Sequence, residues 1–169
     1  GIHDPRTDKP LSEELLFGIA GGIGAGYFMF QYKGWPGWAF VHGRHLWQDN
    51  VAYYKNACTR MGLTAKFSES SGAKGALDNL RKALDVGPVI AWCDFASLPY
   101  YSVPAFFKKG GYHTISVYSI DELAGTALIG DRAKPTITIS LNDLAASRSA
   151  ITSYKNRPLS ITPGKKPID

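Results

Sequence analysis

Two apolar runs near the middle of the chain, separated by a short polar turn, constrain the fold more than any other segment. The first run follows a glycine pair, Gly110–Gly111, and its first polar side chain is His113. The turn covers residues 121–125, and the second run ends at Asp131. The pattern predicts two neighbouring antiparallel strands. Because such strands begin and end at shared edges of a sheet, His113 and Asp131 are expected to lie together.

The segments before this pair predict three helices. Ser12 is a good N-cap, and Glu13 and Glu14 follow it in the first turn, where the helix dipole favours carboxylates. Apolar residues recur at helical spacing over 47–61 and again over 73–86. Helices are therefore expected to precede the set of sequential antiparallel strands.

Short strands and one more helix account for most of the remaining sequence. Strand-like runs lie at 27–32, 39–41, 63–67, 89–95 and 136–140. A helix is expected over 141–149, with Ser140 or Asn142 as its cap. The order predicts an α+β fold, with one domain over 1–155 and a Pro- and Lys-rich surface tail over 156–169.

The composition predicts a cytoplasmic protein with reduced thiols. Cys58 and Cys93 are the two cysteines among 169 residues, and a domain large enough to bury a core does not need them as a disulfide. No apolar stretch reaches the ~18 residues of a membrane span, and the N-terminus lacks signal-peptide features. The net charge is +5 without a basic stripe, which disfavours nucleic acid and suits an anionic partner such as an acyl carrier protein.

Two further segments resemble binding motifs but lack the necessary context. The Gly-rich run over 21–26 has the composition of a phosphate loop, yet a helix precedes it and an aromatic run follows it. Close backbone packing is the simpler interpretation. His42 and His45 have no acidic or thiol partner at metal-ligand spacing, so neither a metal nor a cofactor is expected.

The predicted order of helices followed by antiparallel strands is characteristic of papain-like cysteine proteinase folds. In these folds a Cys at a helix N-terminus attacks an acyl carbon, a later-strand His deprotonates it, and an Asp or Asn orients the imidazole. His113 and Asp131 match the last two roles, and Nδ1 of His113 is expected within hydrogen-bond reach of Asp131. The structural alternative is that His113 caps a strand end and Asp131 begins a turn.

Several segments resemble the N-terminal domain family of butirosin biosynthesis protein H. The most specific is SEELLFGIAGGIGAGYF over 12–28, and others are Leu98–Pro99–Tyr100, 113–120, Asp131–Arg132 and 144–148. The resemblance implies a papain-like fold and transfer of an acyl group from a carrier-protein thioester to an amine. It also implies that His113 is the catalytic histidine and Asp131 its orienting acid.

The sequence departs from this family pattern at the nucleophile. The family opens with a His-Cys pair on a helix that is absent here, so the catalytic Cys is expected upstream of this chain. An N-terminal segment or a homo-oligomer would then cover the exposed sheet surface. Cys93 lies inside a predicted strand and Ser12 is a helix cap, so both are weaker nucleophile candidates. Asp94, Tyr100 and Arg44 are expected to line the substrate cleft.

Besides a small-molecule or nucleotide-binding protein that uses the Gly-rich run over 21–26, three functions remain open on the sequence alone. The first is acyl transfer to an amine, and the second is peptide or amide hydrolysis, which shares the thioester intermediate and differs in using water as the acceptor. The third is a non-catalytic module that binds a carrier protein or partner subunit, for which the +5 charge is suitable.

Overall fold

In the computed structural model, which describes residues 7–20, 26–31, 33–34, 37–42, 49–104, 111–132 and 135–164, helices and strands follow in nearly the predicted order. The helices are α1 (Glu13–Ile19), α2 (Asn50–Arg60), α3 (Ala73–Leu84) and α4 (Leu141–Ser149). The strands are β1 (Gly26–Phe30), β2 (Trp38–His42), β3 (Leu63–Phe67), β4 (Val89–Asp94), β5 (Tyr112–Asp121), β6 (Thr126–Gly130), β7 (Ile137–Ser140) and β8 (Pro158–Pro163). Within the described ranges, no helix is long and apolar enough to cross a bilayer.

The chain divides into two compact units, and Lys66–Thr162 form the second of them. The first contains α1, α2 and the antiparallel hairpin β1–β2. Ser12 caps α1 as predicted, because its hydroxyl accepts a hydrogen bond from Leu15 N at 3.2 Å. Arg60 Nη1 donates to the carbonyl oxygen of Ile19 at 2.7 Å and satisfies one of the carbonyls that the end of α1 leaves free. The two helices pack through buried Ala20, Tyr53, Ala57 and Met61.

The strands form a six-stranded sheet in the order β3–β8–β4–β5–β6–β7, and β4 to β7 lie wholly within the second unit. The pairs from β8 to β7 are antiparallel. Alternate residues of the central strands point to one face, where they bury against Leu80 of α3 and Leu144 of α4. The strand residues of this core are Val89, Ala91, Cys93, Ile115, Val117, Ala127, Ile129 and Ile139. The second unit is thus an α+β sandwich of helices on a sheet.

Strand β5 contains one extra residue relative to β6. Val117 pairs with Ile129, whereas Ser119 pairs with Leu128, so Tyr118 forms a β-bulge. The part of β5 that contains His113 lies before this bulge, in regular register with β4, while the pairing with β6 on the other side begins at Ser116.

Residues 158–163, which were expected to belong to a surface tail, form strand β8 instead. Ser160, Leu159 and Pro158 pair with Val89, Ile90 and Ala91 of β4, and Leu159 is 0% exposed. The two prolines, which suggested a tail, stand at the first and last positions of the strand, where a missing N–H costs little. The Pro- and Lys-rich composition of the segment therefore led to the prediction of a tail where the chain forms a sheet strand.

Candidate active site

The β5–β6 hairpin brings His113 and Asp131 into contact. Ser116 of β5 pairs with Gly130 of β6, so the next residue, Asp131, comes opposite Ile115. Ile115 and His113 are two positions apart and share a face of β5. As a result, Nε2 of His113 lies 2.7 Å from Oδ1 of Asp131. The predicted proximity of these two side chains is present.

Asp131 is a buried carboxylate with every oxygen engaged. The residue is 2% exposed. Its Oδ1 faces His113, and its Oδ2 accepts hydrogen bonds from the hydroxyls of Tyr100 at 3.0 Å and Tyr101 at 2.8 Å. Burial alone would raise the pKa of Asp131, but the hydrogen bonds from His113 and the two tyrosines outweigh it and lower the pKa. Asp131 is therefore an anion throughout the neutral range.

The imidazole uses a different nitrogen for this contact from the one expected. The expectation was Nδ1, but the ring extends towards the neighbouring strand, so its distal nitrogen, Nε2, reaches Asp131. Because an ionised carboxylate only accepts hydrogen bonds, Nε2 is a protonated nitrogen, and in the neutral ring Nδ1 then keeps the lone pair. The His113 side chain is 14% exposed. Nδ1 is thus the basic atom that this arrangement leaves for a proton donor.

Tyr100 lies at the site, but its hydroxyl is committed to Asp131 rather than to a cleft. A turn closed by the Tyr101 N–H on the Leu98 carbonyl oxygen, at 3.1 Å, places the two tyrosines side by side. Their ring centroids are 5.0 Å apart. Burial, reinforced by the hydrogen bond to anionic Asp131, raises the pKa of both hydroxyls, so both remain proton donors.

Asp94, predicted to line the cleft, is 0% exposed and has a structural role. Its Oδ1 accepts from Gly111 N at 2.8 Å and its Oδ2 accepts from the hydroxyl of Ser97 at 2.7 Å. The carbonyl oxygen of Gly111 in turn accepts from Phe95 N at 2.9 Å. These bonds fix the start of β5 immediately before His113. These local donors engage both oxygens of the Asp94 carboxylate, and its assignment to a substrate cleft stays a prediction.

Neither cysteine of the chain has the properties of a nucleophile. Cys93 is 0% exposed, and burial, with the nearby Asp131 and Asp94 charges, raises its pKa to about 12. Cys58 is 2% exposed and burial raises its pKa as well. The hydroxyl of Ser12 is used as a helix cap. The weaker nucleophile candidates therefore have structural positions.

Arg44, predicted to line the cleft, lies outside the described part of the chain. So do His45 and residues 21–25 of the Gly-rich run, for which no ligand was expected, while Gly26 begins β1. Within the described ranges, no group of three or more His, Cys, Asp or Glu side chains is arranged to hold a metal ion.

Sequence reasoning missed Tyr101, which lies beside the imidazole, and Arg132, which lies beside Tyr101. The Tyr101 ring packs edge-on to the His113 ring, with centroids 6.0 Å apart. Arg132 follows Asp131 in the left-handed backbone region, at φ 54, and its guanidinium carbon lies 5.7 Å from the centre of the Tyr101 ring. The sequence signal for these neighbours was the adjacent Tyr100 and Tyr101, directly after Leu98 and Pro99.

Comparison with known proteins identifies one family. The sequence model for butirosin biosynthesis protein H, N-terminal, matches residues 6–132, a range that contains His113, Asp131 and both tyrosines. A search of curated proteins found no match.

Proposed function

We infer that this chain, which belongs to the family of butirosin biosynthesis protein H N-terminal domains, is the acyl-transferring domain of a biosynthetic enzyme. In this proposal it has a papain-like fold and moves an acyl group from a carrier-protein thioester to an amine, through a cysteine. The α+β architecture, with helices followed by an antiparallel sheet, is compatible with that fold.

The single observation that carries the proposal is the buried His113–Asp131 pair, joined through Nε2 at 2.7 Å. A base for thiol activation needs a fixed tautomer, a lone pair directed away from its orienting acid, and an anion that stabilises the imidazolium as it forms. Asp131 supplies the anion and fixes Nε2–H. Nδ1 is then the nitrogen that would remove the proton from a cysteine thiol.

The chemistry proceeds through two acyl transfers. Nδ1 of His113 takes the thiol proton, and the cysteine sulfur attacks the carbonyl carbon of the thioester. The carbon–sulfur bond to the carrier breaks, and the imidazolium returns its proton to the departing carrier thiol. The amine then attacks the acyl-cysteine, His113 accepts the amine proton, and an amide forms as the enzyme sulfur leaves. His113 finally returns that proton to the cysteine sulfur, so the cycle needs no cofactor.

The nucleophile in this proposal comes from residues beyond these 169. Both cysteines of the chain are buried, and Cys93 has its pKa raised to about 12 by burial. The family pattern expects a Cys at the start of a helix upstream, where the positive end of the helix dipole would stabilise a thiolate.

An acidic carrier protein suits the charge of the chain. The net charge of +5 favours encounter with an anionic partner, and such attraction mainly raises association rates. Arg132 is an exposed cation beside the Tyr101 ring. It is a candidate contact for a phosphate or carboxylate at the site entrance.

The test uses the protein with its natural N-terminal sequence. It is incubated with an acyl-carrier-protein thioester, and intact-mass spectrometry follows the acyl group on the upstream cysteine. The proposal expects an acyl-enzyme whose formation is lost in His113→Gln and retained in the surface variant Asp85→Asn. Adding an amine should give an amide, whereas release of only the free acid would favour the hydrolase. If no acyl-enzyme forms with any acyl thioester, the transferase proposal fails.

A further inference from the structure

We propose that Tyr100 and Tyr101 are positioning residues whose hydroxyls together clamp Oδ2 of Asp131 and so hold Oδ1 on Nε2 of His113. The inference rests on the proposed function for its catalytic meaning. The geometry of the clamp exists independently of what the site does.

The two hydroxyls meet the same carboxylate oxygen. Tyr101 is 2.8 Å and Tyr100 is 3.0 Å from Oδ2, on the side opposite the imidazole contact. A carboxylate held by one oxygen can rotate about its Cβ–Cγ bond, whereas one held at both oxygens cannot. Since the side chain of Asp131 is 0% exposed, water does not provide an alternative partner.

The clamp has a rigid support. The turn from Leu98 to Tyr101 orients both rings, and Leu98 itself is 2% exposed. The Phe95 ring packs against the Tyr101 ring with centroids 5.7 Å apart, and Phe95 N donates to the Gly111 carbonyl oxygen at the start of β5. The tyrosines and the imidazole are thus anchored to the same strand end, so their relative positions are fixed.

The charged and titratable groups around the imidazole come from three elements. Cys93, the register partner of His113, lies on β4. Tyr100 and Tyr101 come from the turn after the short 3-10 helix that follows β4, and Asp131 and Arg132 follow β6. Among these, the two tyrosines are the described donors to Oδ2 of Asp131. Removing their hydroxyls therefore acts on His113 through Asp131.

The clamp determines which nitrogen of His113 is basic. With Asp131 anionic and immobile, the Nε2–H tautomer is favoured and the lone pair stays on Nδ1. Without the hydroxyls, a buried carboxylate oxygen loses its donors, and Asp131 either rotates or binds a proton more readily. Either change weakens the preference for one tautomer.

The experiment compares Tyr100→Phe, Tyr101→Phe and the double variant with the unaltered chain by NMR. Carbon-13 shifts report the titration of the Asp131 carboxyl, and nitrogen-15 shifts report the His113 tautomer. His113→Gln identifies the imidazole signals and Asp131→Asn those of the carboxyl. The proposal expects the pKa of Asp131 to rise in each variant and most in the double variant. It expects the minor tautomer of His113 to increase about tenfold, the ratio for loss of one charge-assisted hydrogen bond.

The matched control is Tyr112→Phe, which removes a hydroxyl next to His113 in sequence from a side chain on the other face of β5. Tyr112 is 67% exposed, so neither the Asp131 titration nor the His113 tautomer ratio should change. If the double variant does not fold, the single variants, which each keep one donor, decide the question. Unchanged Asp131 titration and an unchanged tautomer ratio in folded single variants would overturn the clamp. Because these readouts require no catalysis, a missing acyl-enzyme and a missing clamp are separate results.

Discussion

Arg148 of α4 donates a hydrogen bond from Nη2 to the carbonyl oxygen of Asn156, 2.6 Å away, in the interior of the second unit. The arginine is 3% exposed, and its Nε, alone among the buried side-chain nitrogens and oxygens of the described residues, has no hydrogen-bond partner. Burial lowers the pKa of Arg148 to about 10. Asn156 in turn donates from Nδ2 to the Ser70 carbonyl oxygen at 2.9 Å. The guanidinium therefore ties α4 to the turn before β8.

Arg148→Ala should destabilise the protein by about 3 kcal/mol, because it leaves buried carbonyl groups without donors and creates a cavity. Urea denaturation followed by circular dichroism measures the change. The matched control is Arg81→Ala, since Arg81 pairs with Asp78 and Glu122 on the surface, where ion pairs contribute little. If the two variants lose equal stability, the structural role assigned to Arg148 is wrong.

Gly111→Ala should disturb the site without touching a polar atom. A Cβ at this position would lie 2.1 Å from Cε1 of the Phe95 ring, which must move away. Overpacking of this kind costs about 1–3 kcal/mol. Thermal unfolding should show a lower Tm, and the His113 signals should shift in NMR spectra. Gly72→Ala is the control, because its Cβ would meet nothing within 4 Å, and a normal Tm for both variants would contradict this packing.

Asp131 should make stability depend on pH in the acid range. Its pKa is lower in the folded protein than the ordinary value of 3.8, so the unfolded chain binds the proton more readily. The stabilisation is therefore fully present well above the unfolded-state pKa of 3.8 and is lost as pH falls through the folded-state pKa. The contribution of Asp131 is measured by denaturant unfolding of the unaltered protein and of Asp131→Asn, from pH 6 to pH 2.

The difference in unfolding free energy between these two proteins should be constant above about pH 5 and shrink at lower pH. Glu69 and Glu122 also have lowered pKa values, through hydrogen bonds from Arg157 and Arg81, but both proteins retain them. A difference that grows towards acid pH would reverse the sign and refute the assignment.

Both thiols should resist modification in the folded protein. Cys58 and Cys93 are buried, and burial raises the pKa of each. Ellman's reagent at pH 8 should react with neither over minutes, and with both after guanidinium denaturation, because the thiolate is the reactive form. Rapid native reaction of Cys93, identified by peptide mass mapping, would restore it as a nucleophile candidate.

The hairpin at the centre of the site was predictable because its signals are local. The alternating apolar residues predict the two strands, and the polar turn between them predicts their pairing. The polar residues at the strand ends then predict that His113 and Asp131 lie together. The cap at Ser12 was predictable for the same reason. In each instance the informative residues lie within one turn or one hairpin of each other.

The remaining features depend on contacts distant in sequence, which local patterns do not encode. Strand β8 is 69 residues from β4 at the Leu159–Ile90 pair, and its prolines concealed it. The commitment of Tyr100 to Asp131 spans 31 residues, and that of Asp94 to Gly111 spans 17. Which imidazole nitrogen faces the carboxylate depends on side-chain rotation, about which the sequence is silent.

The bulge at Tyr118 gives the hairpin a tolerance that a regular one would lack. It separates the Ser116–Gly130 pair, which sets the position of Asp131, from the pairs nearer the turn. In a regular ladder, a one-residue slip would transfer every side chain to the opposite face. Here the bulge separates the site-side half of the hairpin from the turn-side half, so each half has its own register. Substitutions at the turn over 121–125 are thus expected to leave the distance between imidazole and carboxylate unchanged.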